Sequence, residues 1–167
     1  MWISFGLESL LFLDFGFLGV RPRTINGLIG VFTAPLVHGS FTHLMSNTFP
    51  LLFLGTTIYY FYNRIATQVF IQCFFFTNVL VWFFGRDSYH IGASGMVYGI
   101  AFFLISFGIF RRDMSSILIS TVIIVFYGGL VYGIFPYNPA VSWESHLMGA
   151  IVGICSAFLL RKTSKIN

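Results

Sequence analysis

Charge is scarce in this sequence. Nine Lys and Arg and five Asp and Glu are spread over 167 residues, so charged groups make up 8% of the chain, where a soluble domain carries about 25%. Five acids leave little room for paired-carboxylate chemistry. An aspartyl protease of the membrane type needs two acids facing each other within spans, and Glu8, Asp14, Asp87, Asp113 and Glu144 offer no such pair. No HExxH motif occurs, which removes the zinc proteases built on it. The four histidines, His38, His43, His90 and His146, show neither ligand spacing nor a carboxylate partner. Neither a metal nor another cofactor is therefore expected. Cysteine is nearly absent: Cys73 and Cys155 both sit in apolar segments and read as small buried hydrophobes, not a disulfide. The N-terminus lacks a basic n-region and a small-residue cleavage site, so it does not read as a removed signal peptide. No internal repeat or pair of broken helices supports a small transporter.

Apolar surface is what the chain has in excess. Hydrophobic residues account for 57%, with 22 phenylalanines, and the mean hydropathy is +0.87. One globular core of this size cannot hide them, so the remaining solvent is the lipid bilayer. The net charge of +4 is then a matter of loop placement and not a nucleic-acid footprint. Five stretches, 44–62, 65–85, 92–110, 117–135 and 143–160, have 18 to 21 residues each, close to the ~20 that cross a ~30 Å hydrocarbon layer. In lipid the backbone must satisfy its own hydrogen bonds, so these are expected as helices. A further segment, 1–13, is apolar except for Glu8 and reaches only ~20 Å, a short or truncated first span. The expected architecture is all-α: a polytopic bundle of six transmembrane helices forming one domain over 1–167, with its core at 19–160. The connection 14–42 is long for a plain linker and reads as an interfacial, partly embedded loop. Arg64, Arg111, Arg112, Arg161, Lys162 and Lys165 fall on one side, and Arg21, Arg23 and Arg86 on the other. Six against three puts both termini in the cytoplasm.

Polar residues inside spans are costly and default to function. Three clusters stand out: "HGSFTHLMSN" with His38, His43 and Asn47, "GASG" with Ser94, and "ESHLMGAIVG" with His146. All lie toward the same ends of their helices. The plain reading of Ser94 is a helix N-cap. The surrounding Gly92, Gly95 and Gly99 go further, because they clear space for another backbone or a substrate. A helix start also offers free N–H groups to a developing oxyanion. His146 is followed by Gly149 and Gly153, a small-xxx-small face that matches Gly95 and Gly99. If the two faces pack, the imidazole comes near the Ser94 hydroxyl and can take its proton. Glu144 sits about 200° round the helix from His146, so the arrangement reads as a dyad without a third acid. His43 and Asn47 share a face as i, i+4, either as a polar pair holding helices together or as side-chain donors to an oxyanion. His38 more plausibly shapes the preceding loop. Tyr98, four residues after Ser94, shares its face and could stack on His146, or be an ordinary core aromatic.

Those motifs in that order resemble the rhomboid family of intramembrane serine proteases. The resemblance covers roughly residues 19–160 and implies a bacterial inner-membrane enzyme that cuts single-span membrane proteins near the outer face, without metal or ATP. It implies Ser94 as nucleophile, His146 as general base, His43 and Asn47 at the oxyanion hole, and Tyr98 in support, with Gly92, Gly95 and Gly149 giving close approach. The chain departs from the family pattern in its short first span and in a first loop without a Trp-Arg pair, which leaves Arg21 and Arg23 to a different job. A non-catalytic relative that binds transmembrane helices is the alternative, although such proteins usually lose the serine or the histidine.

Overall fold

Each apolar stretch is helical in the computed structural model, which describes residues 1–162; Lys165, counted above for orientation, lies outside them. In chain order the helices are α1 (Trp2–Leu11), α2 (Gly30–Thr33), α3 (Phe41–Phe61), α4 (Asn63–Phe84), α5 (Ser94–Arg111), α6 (Met114–Tyr127) and α7 (Trp143–Leu160). Short 3₁₀ turns lie at Gly16–Leu18, Asn26–Leu28, Ala34–Leu36 and Gly128–Ile134. The one strand-like feature among the described residues is an isolated bridge between Val20 and His90. Four helical segments, Asn63–Phe84, Ser94–Arg111, Met114–Ile134 and Trp143–Leu160, are each long and apolar enough to cross a membrane. Asn26–Leu36 and Phe41–Phe61 qualify together as a pair bent by 71°. α1 is apolar but rises only about 15 Å, too short to cross, so among the described residues four helical segments, or five with the bent pair counted as one, are long enough to span where six are expected.

Polar caps set the helix ends. The Ser40 side chain accepts the His43 N–H at the start of α3 (3.1 Å), and Asp113 accepts the Ser116 N–H at the start of α6 (3.0 Å). Arg111 donates to the same Asp113 carboxylate at 2.7 Å, and the Ser116 hydroxyl reaches it at 2.9 Å. The Asp113 bonds close the end of the bundle that carries Arg64, Arg111, Arg112 and Arg161.

α5 is the central helix, buried along most of its length. Its closest neighbour is α7, and the reason is steric. A Cβ on Gly149 would overlap the Gly95 carbonyl oxygen, and one on Gly153 would overlap that of Gly99. The two backbones therefore touch along the small-residue faces. α6 lies at the other extreme: Leu118, Val125 and Phe126 are 63%, 74% and 72% exposed. An apolar face this open suits lipid and not water.

The 14–42 connection folds onto the end of the bundle where α5 begins. Arg23 donates to the Gly85 carbonyl (2.8 Å), the Trp82 indole donates to the Thr24 carbonyl (2.9 Å), and Arg21 pairs with Asp87 (3.2 Å). The Gly92 N–H reaches the Ala34 carbonyl at 2.9 Å. That is the job Arg21 and Arg23 do here: they fasten the first loop to the segment that leads into Ser94.

Candidate active site

Ser94 is the first residue of α5, and Ala93 occupies the cap position before it. The hydroxyl is therefore not used as a cap. It meets Nε2 of His146 at 2.9 Å. Nδ1 of the same ring lies 2.9 Å from the carbonyl oxygen of Gly133, an acceptor only, so Nδ1 carries the proton and donates it. Nε2 is then free to accept from Ser94. The tautomer a general base needs is set by a backbone carbonyl, with no carboxylate involved. Tyr98 stacks on the imidazole with ring centres 4.0 Å apart and planes 4° from parallel. The ring can neither tip nor slide without leaving that contact.

His43 and Asn47 face the turn that enters α5. Gly92 has φ +102°, a conformation that favours glycine, and a Cβ there would stand 2.6 Å from His43 Nε2 and 3.5 Å from Asn47 Nδ2. Asn47 is buried, and its amide donates one hydrogen to the His43 carbonyl at 3.1 Å. Its second N–H remains for another acceptor. The Ser94 N–H, at the first helical position, has no carbonyl one turn back to bond. His38 is buried behind this pair, with its ring 4.9 Å from that of His43.

Ser94, His146, His43, Asn47 and Tyr98 line one open cavity of about 780 Å³. Gly92, Gly95, Gly149 and His38 do not line it. Gly92 and Gly149 act through the approach they permit, and Gly95 likewise has Thr77 Cγ2 2.7 Å from where a Cβ would stand. Among the described residues no group of three His, Cys, Asp or Glu is arranged to hold a metal ion. Both cysteines are free; Cys73 is buried as expected, whereas Cys155 is exposed on α7 and not the buried hydrophobe its apolar segment suggests.

Residues to which the sequence reading assigns no part in the site also build it. Gly133 holds the imidazole through its carbonyl, and its only sequence signal is a cluster with Gly128 and Gly129 near the end of an apolar span. Arg86 and His90, in the connection before α5, reach across to the start of α7. Arg86 Nε lies 3.5 Å from the buried Glu144 carboxylate, which makes no ion pair with His146 among the described residues. His90 Nε2 donates to the Arg86 carbonyl at 3.1 Å, and its Nδ1 accepts from the Ser142 hydroxyl at 2.5 Å. Burial lowers the pKa of His90 below the ordinary histidine value. The Arg86 carbonyl and Glu144 pull it upward, and the Arg86 charge pushes it down again.

A family model described as "Rhomboid domain" matches residues 26–163. Curated relatives include uncharacterized proteins of Mycobacterium bovis and Mycobacterium tuberculosis, each 36% identical over 159 residues that cover 85% of this chain and 63% of the relative. An uncharacterized protein of Mycobacterium leprae is 33% identical over 170 residues, covering 89% of this chain and 64% of its own length. The chain thus spans a little under two thirds of the curated relatives it matches.

Proposed function

This chain belongs to the rhomboid family of membrane helical bundles, and we propose that it is an intramembrane serine endopeptidase that cuts single-span membrane proteins. The observation that carries the proposal is the 2.9 Å contact between Ser94 Oγ and His146 Nε2, with Nδ1 committed to the Gly133 carbonyl.

In the first step Ser94 Oγ attacks the scissile carbonyl carbon while its proton passes to Nε2. The carbonyl oxygen becomes an oxyanion facing the free Asn47 N–H, the His43 ring and the Ser94 N–H. The imidazolium that forms is held by the Gly133 carbonyl, which accepts the Nδ1 proton's hydrogen bond in both protonation states. Nε2 then gives its proton to the leaving amine, and the C–N bond breaks. Water enters the open cavity, loses a proton to Nε2 and attacks the acyl-serine ester. Collapse releases the carboxylic acid, and the proton returns to Ser94 Oγ. No metal is required at any step.

A membrane-protein substrate is supported by the setting of the cavity, in a chain whose main helices are long and apolar enough to cross a membrane. The positive-charge asymmetry supports cytoplasmic termini, which puts Ser94 toward the outer face of a bacterial inner membrane. Labelling with a fluorophosphonate tests the reading. Wild type takes the label, Ser94→Ala takes none, and His146→Ala takes it far more slowly. The same order holds for cleavage of a single-span substrate in liposomes. A Ser94→Ala protein that still cuts ends the assignment, and wild type that takes no label but retains helix binding favours a non-catalytic binder.

A further inference from the structure

The start of α7 is tied to the segment before α5 by contacts that the dyad itself does not supply. Arg86 donates through Nη2 to the Pro139 carbonyl (2.7 Å) and the Val141 carbonyl (2.9 Å), while its Nε faces Glu144 at 3.5 Å. Glu144 is the second residue of α7 and is 3% exposed. A carboxylate taken out of water at this depth is costly unless a cation faces it; the positive end of the helix dipole offers only part of that compensation. A second line runs in parallel: the Ser145 hydroxyl donates to Ser142 Oγ (2.7 Å), Ser142 donates to His90 Nδ1, and His90 Nε2 donates to the Arg86 carbonyl. Pro139, Ala140 and Val141 are exposed, and the turn's backbone bonds, such as Val141 N–H to the Asn138 carbonyl, are local. Packing does not hold this loop, so its bonds to Arg86 must.

We propose that Arg86 is a positioning residue for the Ser94–His146 pair. Its guanidinium clamps the loop before α7 and the Glu144 side chain onto the segment that delivers Ser94. Glu144 and His146 are two positions apart on the same helical turn, so the brace sets the reach between imidazole and hydroxyl. Arginine suits the role because Nη2 can reach two carbonyls while Nε stands within ion-pair distance of the carboxylate, 3.5 Å from it but not hydrogen-bonded. The inference rests on the hydrolase reading for its catalytic consequence, while the brace itself is open to a separate measurement.

The test compares wild type, Arg86→Met, Arg86→Lys and the double variant Arg86→Met/Glu144→Gln in detergent, by amide hydrogen exchange and by the rate of fluorophosphonate labelling. In Arg86→Met, exchange rises over residues 138–146 and stays unchanged through the rest of α5 and α7. Labelling of Ser94 slows at least about tenfold, the direction expected when a base is misplaced by a fraction of an ångström. Arg86→Lys keeps the charge but not the fork and falls between the two. The double variant regains at least about threefold over Arg86→Met, because no unpaired carboxylate is left buried. Unchanged exchange over 138–146 in both Arg86 variants overturns the brace, and a double variant no faster than Arg86→Met overturns the pairing with Glu144. Should Arg86→Met fail to fold, Arg86→Lys carries the same comparison. Wild type that takes no label refutes the hydrolase reading, and the exchange result still decides the brace.

Discussion

Replacing Gly133 by alanine puts one methyl group against both the Tyr98 ring and the imidazole it stacks on, the proposed general base. The new Cβ would overlap the Tyr98 hydroxyl outright, stand 3.0 Å from its Cζ and lie 3.3 Å from His146 Nδ1. Tyr98 is a rigid ring already stacked on the imidazole, so it cannot swing aside cheaply. It must withdraw by on the order of 1.5 Å before its oxygen stands at ordinary contact distance. The alternative is an outward shift of the turn Gly128–Ile134, which carries the Gly133 carbonyl off Nδ1. Either movement frees the ring that must face Ser94. A misplacement of about 1 Å costs on the order of 10²-fold in rate, and that is the expected fall in kcat. The turn is not buried among the described residues and can relax, so the stability loss falls near the low end of the ~1–3 kcal/mol typical of overpacking.

The assay is cleavage of a single-span substrate in liposomes, with kcat and KM measured separately. KM should change little, because the methyl group does not enter the substrate side of the cavity. The double variant Tyr98→Phe/Gly133→Ala supplies the control. Removing the hydroxyl leaves only the 3.0 Å approach to Cζ, which a shift of a few tenths of an ångström relieves. It should therefore recover about tenfold over Gly133→Ala alone, by the same distance argument. A Gly133→Ala protein that cuts at the wild-type kcat, or one that Tyr98→Phe does not help, refutes this account of how the base is held.

Two further expectations follow from the same geometry. Asn47→Ala should lower kcat by ~10²-fold, the usual scale for one lost oxyanion donor, with the detergent-solubilised protein still monodisperse; unchanged turnover would return Asn47 to a purely helix-joining role. His90 makes a pH prediction. Its folded-state pKa is depressed, chiefly by burial, so the unfolded chain binds the proton first as pH drops. Stability should decline as pH falls below the ordinary histidine value of ~6.5 and level off once the lower folded-state value is passed. His90→Asn, which keeps an acceptor for Ser142 without a titrating ring, should make that decline shallower in denaturation midpoints between about pH 7 and 4, while His38, whose pKa burial lowers to about 4, still contributes to it. An equally steep decline in the variant would assign the acid sensitivity to other groups.

How much of this is legible in the sequence depends on whether the governing physics is local. Glycines four apart on two helices, Gly95 with Gly99 and Gly149 with Gly153, can be read without a structure because helical spacing alone puts each pair on one face. The same spacing predicts Glu144 turned away from His146, and the structure pairs it with Arg86 instead. What it turns toward is not legible, because Arg86 lies 58 positions earlier in a stretch that reads only as loop punctuation and orienting charge. Gly133 escapes for a different reason. It sits within an apolar run that reads as continuous helix to 135, whereas the helix gives way to a 3₁₀ turn at Gly128. That change of winding points the Gly133 carbonyl at an imidazole instead of into its own helix. Ser94 shows how fine the margin is. Had α5 begun one residue later, Ser94 would stand at the cap position, where its hydroxyl is spent on a backbone N–H. With Ala93 there instead, the hydroxyl is left to His146, and the difference between a capping serine and the nucleophile proposed above is a single step in helix register.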